Sequence, residues 1–147
     1  MANIPDPYGS HYFMLEIDGQ EVAHILQVSG LKTQAQVFEI EEGGNAAFAH
    51  KRVAQSRWDN VTIRYATSSS RFLQSWRDSF LRNPLGEGLW RSGSIVMFNN
   101  HGDPIRRFHF GRAWPVGWEG PSLDSGTSEL AVESLELAHE GISVSDG

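Results

Sequence analysis

The chain has 147 residues, a formal net charge of -6 at pH 7, 39% hydrophobic residues and no cysteine. This length predicts one domain over residues 1–147, because a chain of about 150 residues can bury roughly 70% of its unfolded surface in one core. The absence of cysteine excludes disulfide scaffolds, thiolate metal sites and cysteine nucleophiles. The acidic balance argues against non-specific binding to nucleic acid or to anionic membranes.

The first residues, 1–10, predict an extended N-terminal arm. Pro5 and Pro7 each lack a backbone donor and bias the residue before them to an extended conformation. The segment has neither the basic nor the apolar region of a signal peptide, and no apolar run approaches the length of a membrane span. We therefore expect synthesis in the cytoplasm without a signal peptide, and no direct membrane insertion by this chain.

The next part of the chain predicts antiparallel strands. Apolar residues alternate over 13–17, Asp18-Gly19 is a hairpin turn signal, and residues 22–28 form the returning strand. A third strand enters the turn-prone stretch 41–45, and regular alternation resumes only at Val61. The pattern predicts a long hairpin whose outer part has no core to pack on.

One segment, residues 69–83, departs from the strand pattern and predicts a helix. Its apolar residues fall at helical spacing and face one side, and Asn83-Pro84 ends it. The preceding Thr and Ser residues at 67–70 are candidate N-caps. Trp76 lies on the apolar face and is expected in the core.

The last part of the chain predicts further strands around a loop. A strand from Pro104 leads into 114–121, which is rich in Trp, Pro and Gly and predicts a loop held on the domain by Trp114 and Trp118. The final strand begins near Glu129, and its apolar residues change face partway along. Either a bulge lies near Glu133-Ser134, or the strand bends between two orthogonally packed sheets. The total is about seven strands and one helix, a mainly β fold.

No residue constellation predicts catalysis or metal binding. The six histidines lack metal-ligand spacing, and the glycines at 86 and 88 lack the lysine and hydroxyl of a phosphate loop. The paired carboxylates Glu41 and Glu42 fall in an exposed turn, where nothing would separate their pKa values. We therefore expect neither an enzyme nor a cofactor.

Charge is unevenly distributed along the sequence. Basic residues outnumber acidic ones over 71–112, whereas every charge from Glu119 onward is acidic. Two explanations remain open. The segments pair locally within one subunit, or faces of opposite sign meet between copies, and head-to-tail contacts of that kind build rings or filaments.

Several motifs, in order over nearly the whole chain, resemble those of the phage tail-tube protein family, and most of all the inner-tube proteins of extracellular contractile injection systems. The most specific are the Trp-Pro-x-x-Trp-Glu-Gly-Pro stretch and the Leu-Glu-Leu-Ala-His-Glu-Gly strand. The matching segments are Glu16-Ile17-Asp18-Gly19, Val28-Ser29-Gly30-Leu31, Gly93-Ser94-Ile95-Val96, residues 113–121 and residues 133–141.

The resemblance implies two packed antiparallel sheets forming a small barrel with one flanking α-helix and a long protruding hairpin, as in the haemolysin-coregulated protein. It also implies hexameric rings that stack into a hollow tube inside a contractile sheath, with a baseplate and spike at one end. Protein cargo in the lumen is a further implied partner, and nucleic acid is not required. The particle would be cytoplasmic or released extracellularly.

In this family the long hairpin reaches an adjacent ring or subunit, and the matching segment here is residues 37–63. Two stretches, 51–54 and 85–90, depart from the family pattern. The expected inter-subunit contact residues are Glu41, Glu42, Gly43, Gly44, Asn45, Phe48, Lys51, Arg52 and Trp58.

Three alternatives remain at the level of sequence. The chain could form a specialised first ring that joins the tube to the baseplate spike, and the motifs do not separate this from the repeating subunit. A small ligand-binding β-barrel would carry a flavin or lipid. An injected effector enzyme would need a convergent polar site, which the sequence does not show.

Overall fold

The computed structural model describes residues 11–40, 50–67, 71–86, 88–126 and 130–147, with the backbone alone at 38–40, 50, 53 and 54. These residues form ten strands and one helix, compared with the seven strands predicted. The elements are β1 (Tyr12–Ile17), β2 (Gln20–Ile25), β3 (Gln27–Ser29), β4 (Thr33–Ile40), β5 (His50–Trp58), β6 (Val61–Ala66), α1 (Phe72–Arg82), β7 (Arg91–Phe98), β8 (Pro104–Glu119), β9 (Val132–Ala138) and β10 (Ile142–Asp146).

Eight of the strands form one antiparallel sheet in the order β2-β1-β7-β8-β9-β6-β3, with β10 also paired to β8. The two end strands, β2 and β3, are consecutive in the chain and are separated only by a bend at Leu26. The Leu26 N–H donates to the Arg64 carbonyl oxygen at 2.7 Å, which draws this bend toward β6. The sheet therefore curls toward the small barrel that the family resemblance implied, although it is not closed, because no ladder joins its end strands.

The long strand β8 carries the chain from one half of the sheet to the other. Its first half pairs with β7 and β10, and its second half pairs with β9. Extra residues interrupt its register near Gly111-Arg112 and at Val116, and Arg112 has a φ of 43°. Bulges bend a strand and increase its twist, so they mark the corner between the two halves.

This arrangement corrects two predictions about the end of the chain. Residues 114–119 lie within β8, so Trp114 and Trp118 are strand residues and not loop clamps. In β9 the register with β6 is continuous, and Glu133, which the pattern placed at a bulge, is buried on the same face as Leu135. The strand that bends between sheets is β8, because the extra residues lie there.

The short turns follow the sequence signals. Asp18 and Gly19 have φ values of 51° and 80°, the left-handed conformations that a two-residue hairpin turn requires, and they join β1 to β2 as predicted. The returning strand is divided at Leu26 into β2 and β3 because the two parts pair with different neighbours, β1 and β6.

The helix α1 starts later than predicted. It begins at Phe72, and its N-cap is Arg71, which makes no side-chain capping hydrogen bond, whereas residues 68–70 lie outside the described chain. Trp76 is buried as expected, and its Nε1–H donates to the Leu89 carbonyl oxygen at 2.8 Å. The helix packs against β8 through one apolar face.

The core lies between the curled sheet and α1. Aliphatic side chains from facing strands fill the barrel, so its interior is packed. The buried cluster consists of Leu15, Ile17, Ala23, Ile25, Val61, Ile63, Tyr65, Leu73, Trp76, Phe80, Ile95, Phe110, Ala113, Leu135 and Leu137.

Candidate assembly surface

The hairpin of β4 and β5 forms a two-stranded sheet of its own. The strands pair from Thr33 opposite Trp58 to Ile40 opposite His50, with a register shift between Ala35 and Val37. The observed hairpin therefore begins before residue 37 and ends at Trp58. Val61 and Ile63, which the prediction included in it, are buried in β6.

Both faces of this hairpin are open to solvent along much of its described length. Val37 is 57% exposed, and Gln34, Gln55 and Arg57 are also exposed. An isolated two-stranded hairpin is at best marginally stable in water, because it has no third strand or helix on which to bury a face. The hairpin therefore has little support from its own subunit over that length.

The predicted contact residues fall into three groups in the structure. Residues 41–45 and Phe48 lie outside the described chain. Lys51 and Arg52 are exposed on β5, opposite Glu39 and Phe38 in the register. Trp58 is half-buried at the base of the hairpin, where its ring meets that of His139. The structure therefore separates a distal part that carries the exposed Lys51 and Arg52 from an aromatic base.

A buried polar cluster joins β6, β8 and β9 near one end of the barrel. Tyr65 is fully buried, Glu133 lies opposite it in the register, and Trp118 Nε1–H donates to the Glu133 carboxylate at 3.4 Å. Burial raises the pKa of the Tyr65 hydroxyl, and the Glu133 carboxylate raises it further. Sequence patterning missed this cluster because Glu133 lies on an apolar face.

A chain of side-chain hydrogen bonds also links β7, β8 and β10. His109 Nδ1 lies 2.7 Å from Ser94 Oγ, and its Nε2 lies 2.9 Å from Ser145 Oγ. Both ring nitrogens are thus engaged by hydroxyls, so His109 on β8 cross-links the neighbouring strands β7 and β10.

Ion pairs link parts of the chain that are distant in sequence. Arg112 Nε lies 3.3 Å from Glu140 Oε1, which joins the basic middle segment to the acidic end. Arg91 pairs with Asp18, and Arg107 with Glu16, at 3.0 and 2.9 Å. Local pairing therefore accounts for part of the uneven charge distribution.

The described surface offers an open polar groove on the outer face of β6, β8 and β9, with a volume of about 310 Å³. It is lined by Thr62, Gly117, Trp118, Glu119, Ser134 and Glu136. Small-molecule sites are usually apolar and enclosed, so neither this groove nor the packed interior resembles a flavin or lipid pocket. Within the described ranges, no three metal-ligating side chains come together, and no helix is long and apolar enough to cross a membrane.

Residues 9–143 match the model of the T4-like virus tail tube protein gp19 family. The chain belongs to this family. Members are structural proteins of tail tubes, which agrees with the resemblance carried by the sequence motifs. No curated protein matches the chain.

Solved structures share the fold of this tail tube protein. A chain of the PVC sheath-tube complex, an extracellular contractile injection system in its extended state, has a TM-score of 0.79 at 19% identity, covering 99% of this chain and 95% of that chain. A chain of the PVC sheath/tube terminator has a TM-score of 0.77 at 21% identity, covering 99% of each chain. Hcp1 from Flavobacterium johnsoniae has a TM-score of 0.60 at 16% identity, covering 92% and 96%.

Proposed function

We propose that this chain is the repeating subunit of the inner tube of a phage-tail-like contractile injection system. The family match over residues 9–143 carries the proposal. The fold shared with a chain of the PVC sheath-tube complex supports the choice of an injection system. The chain acts by assembly and performs no catalysis.

In the proposed particle, six copies form a ring, and rings stack into a hollow tube. A contractile sheath surrounds the tube, a baseplate and spike close one end, and the lumen takes protein cargo. The particle is assembled in the cytoplasm and is released to act outside the cell. The solvent-exposed β4–β5 hairpin supports this proposal, because a second subunit would supply the face that it lacks.

The contact residues are part of the proposal. The distal hairpin, including Glu41, Glu42, Gly43, Gly44, Asn45 and Phe48, would reach a neighbouring ring or subunit, together with Lys51, Arg52 and Trp58 on β5. Lys51 and Arg52 are exposed, as a contact with another copy requires.

A second candidate within the same class is a specialised ring at one end of the tube. The TM-scores of 0.79 to a chain of the sheath-tube complex and 0.77 to a chain of the sheath/tube terminator are nearly equal, so the fold suits both positions. A chain of the AFP baseplate is also similar, with a TM-score of 0.73. An end ring would form single rings that do not extend.

Electron microscopy of the purified protein at increasing concentration tests both candidates. Tubes of uniform diameter support the repeating subunit, single rings support the end ring, and dispersed monomers at high concentration contradict both. Deleting residues 42–50 should leave a folded monomer that no longer polymerises, as measured by sedimentation velocity and circular dichroism. Normal tubes from this deletion would exclude the hairpin as the assembly element.

A further inference from the structure

The base of the β4–β5 hairpin is built from segments that belong to two of the family motifs. These motifs form no catalytic or ligand-binding site, so their residues have no role assigned so far. The Val-Ser-Gly-Leu step contributes Gly30, and the Leu-Glu-Leu-Ala-His-Glu-Gly motif contributes His139 and Gly141. We propose that His139 is a positioning residue that fixes the direction of the hairpin for assembly. This inference rests on the proposed function, because it concerns how the assembly element is held.

His139 bridges two turns of its own subunit through both ring nitrogens. Its Nε2 lies 2.9 Å from the Asp59 carbonyl oxygen, and its Nδ1 lies 3.1 Å from the backbone nitrogen of Gly141. A carbonyl only accepts and a backbone N–H only donates, so Nε2 carries the proton and Nδ1 accepts. The two bonds together hold the ring in one tautomer and one orientation, between the β5–β6 turn and the β9–β10 turn.

Trp58, the last residue of β5, packs on this bridge. Its ring centroid is 5.9 Å from that of His139, with an interplanar angle of 62°. Gly141 has a φ of +137°, a conformation that favours glycine, and a Cβ at that position would lie in ordinary van der Waals contact with the indole ring, 3.5 Å from Trp58 Nε1. The requirement for glycine at this position therefore comes from the backbone conformation.

The other strand of the hairpin is tied to the same place. The Asp59 N–H donates to the Lys32 carbonyl oxygen at 3.0 Å, just before β4 begins. Gly30 has a φ of +88°, and a Cβ there would collide with the Asn60 carbonyl oxygen. Asn60 Nδ2 in turn donates to Glu136 Oε1 on β9 at 3.3 Å. Both strands of the hairpin are therefore fixed to the end of β9.

A fixed base matters because a small change of angle at the base of the hairpin produces a large displacement at its far end. Strand β5 has nine residues, and such a strand is roughly 30 Å long at about 3.3 Å per residue, so a tilt of about 10° at its base moves its far end by about 5 Å. Interfaces between subunits need packing as close as that of a protein interior. A hairpin free to tilt at Trp58 would meet its neighbour in many arrangements, and few of these would extend a tube.

Substitutions at His139 separate this role from general stability. His139→Phe keeps an aromatic ring beside Trp58 but loses both hydrogen bonds. His139→Asn keeps an acceptor for the Gly141 N–H, as Asn99 does for the N–H two residues later, but loses the bond to Asp59. The matched control is His109→Phe, which also loses two ring hydrogen bonds, in the sheet formed with β7 and β10.

The first readout is the critical concentration for tube assembly, measured by sedimentation alongside the melting temperature. We expect His139→Phe to raise the critical concentration about tenfold or more, which corresponds to about 1.4 kcal/mol. His139→Asn should raise it less. His109→Phe should lower the melting temperature comparably without this rise. Equal critical concentrations for the wild type and His139→Phe would overturn the proposal. If the wild type itself forms neither rings nor tubes, it is the proposed function that fails.

The second readout is the hairpin direction in single subunits. The chain has no cysteine, so dyes attach only at introduced positions, and both Arg52→Cys on β5 and Glu21→Cys on β2 are exposed. Single-molecule energy transfer below the assembly concentration should give one narrow distance distribution in the wild-type background. His139→Phe should broaden or shift it, and His109→Phe should not. If the distance distribution in the His139→Phe background were the same as in the wild type, the positioning role would be contradicted even if assembly were impaired.

Discussion

At the scale of single residues, Gly30 and Gly19 share a backbone conformation but differ in their surroundings. Their φ values are +88° and +80°, and a Cβ would meet the Asn60 carbonyl oxygen at Gly30 but nothing within 4 Å at Gly19. We expect Gly19→Ala to lower the free energy of unfolding by about 1 kcal/mol through backbone strain alone. Gly30→Ala should cost about 3 kcal/mol or more, because a steric clash adds to that strain.

Urea denaturation of the two variants measures this difference. An equal loss of unfolding free energy in the two variants would show that the turn between β3 and β4 shifts to accommodate the new methyl group. The close approach of Gly30 to Asn60 would then not limit which residue can occupy position 30. The sequence marked Gly19 as a turn residue and Gly30 as part of a family motif, but it could not rank the two costs. The difference depends on a contact across 30 positions of the chain, which local propensity does not contain.

Tyr65 gives a pH-dependent prediction. Burial raises the pKa of its hydroxyl above the ordinary value of 10.0, and the Glu133 carboxylate raises it further. Above about pH 10 the unfolded chain loses this proton while the folded chain keeps it, so the unfolded state binds fewer protons. The stability that Tyr65 contributes is therefore present below about pH 10 and is lost as the pH rises further, with a slope of about 1.4 kcal/mol per pH unit.

Tyr65→Phe should remove that slope. At neutral pH the variant should differ from the wild type by less than about 1 kcal/mol, because no hydrogen bond of good geometry engages the buried hydroxyl among the described residues, although Glu133 lies near enough to raise its pKa. Denaturation at about pH 8 and about pH 11 in both proteins supplies the comparison, and the other tyrosines cancel in the difference. Parallel loss of stability in the two proteins would refute the assignment.

At the scale of elements, α1 is held on the sheet by two tryptophans of unequal burial. Trp76 is 4% exposed and bonded to the Leu89 carbonyl oxygen, whereas Trp114 is 37% exposed and stacks on Phe80 at 5.7 Å. Trp76→Ala should lower the free energy of unfolding by about 3 to 5 kcal/mol, since it leaves a cavity in the core. Trp114→Ala should cost about 1 to 2 kcal/mol, less than burial in the core would imply.

Chemical denaturation of both variants measures the two losses of unfolding free energy and shows which is larger. A larger loss at Trp114 would mean that its contact with Phe80, rather than the core face of α1, attaches the helix. The comparison also bears on how well patterning predicted the fold. Helical spacing placed Trp76 in the core correctly, together with Leu73 and Phe80, whereas Phe72 and Leu81 at the two ends of the helix are exposed.

Strand β8 shows where patterning fails. Its inward-facing residues change phase at Gly111-Arg112 and again at Val116, so alternation stops and residues 114–121 resemble a loop. The paired strands that hold β8 in place, β7 and β9, are far from these bulges in sequence. The sequence predicted a bend between two sheets but assigned it to the final strand, because a buried Glu133 imitates a phase change. The family motifs indicated the fold that local patterning left incomplete.

The candidate assembly surface was only partly predictable, because it too depends on contacts between residues that are distant in sequence. Weak alternation around 41–49 indicated a hairpin without a core, and the described strands on either side confirm a separate two-stranded sheet. The role of its base was invisible, because His139 lies about 80 positions from Trp58. A histidine without metal-ligand spacing gives no signal until the fold brings it to the turn that it bridges.

At the scale of the whole molecule, the net charge of -6 means that copies repel one another at long range, so assembly needs local attraction to overcome it. Lys51 and Arg52 are exposed on the hairpin that we propose makes the contact. Reversing both charges, as Lys51→Glu with Arg52→Glu, should therefore prevent tube formation. The free energy of unfolding should change by less than about 1 kcal/mol, because both side chains are exposed.

The matched control is Arg71→Glu with Arg82→Glu, at the two ends of α1, where both side chains are also exposed. It changes the total charge by the same amount, so an effect of net charge alone would impair both pairs equally. We expect the control to form tubes, and we expect high salt to restore tubes partly in the hairpin variant, since salt screens exposed charges. Sedimentation and negative-stain microscopy at low and high salt distinguish these outcomes. Equal loss of assembly in the two double variants would show that repulsion between whole subunits, and not contact at the hairpin, controls polymerisation.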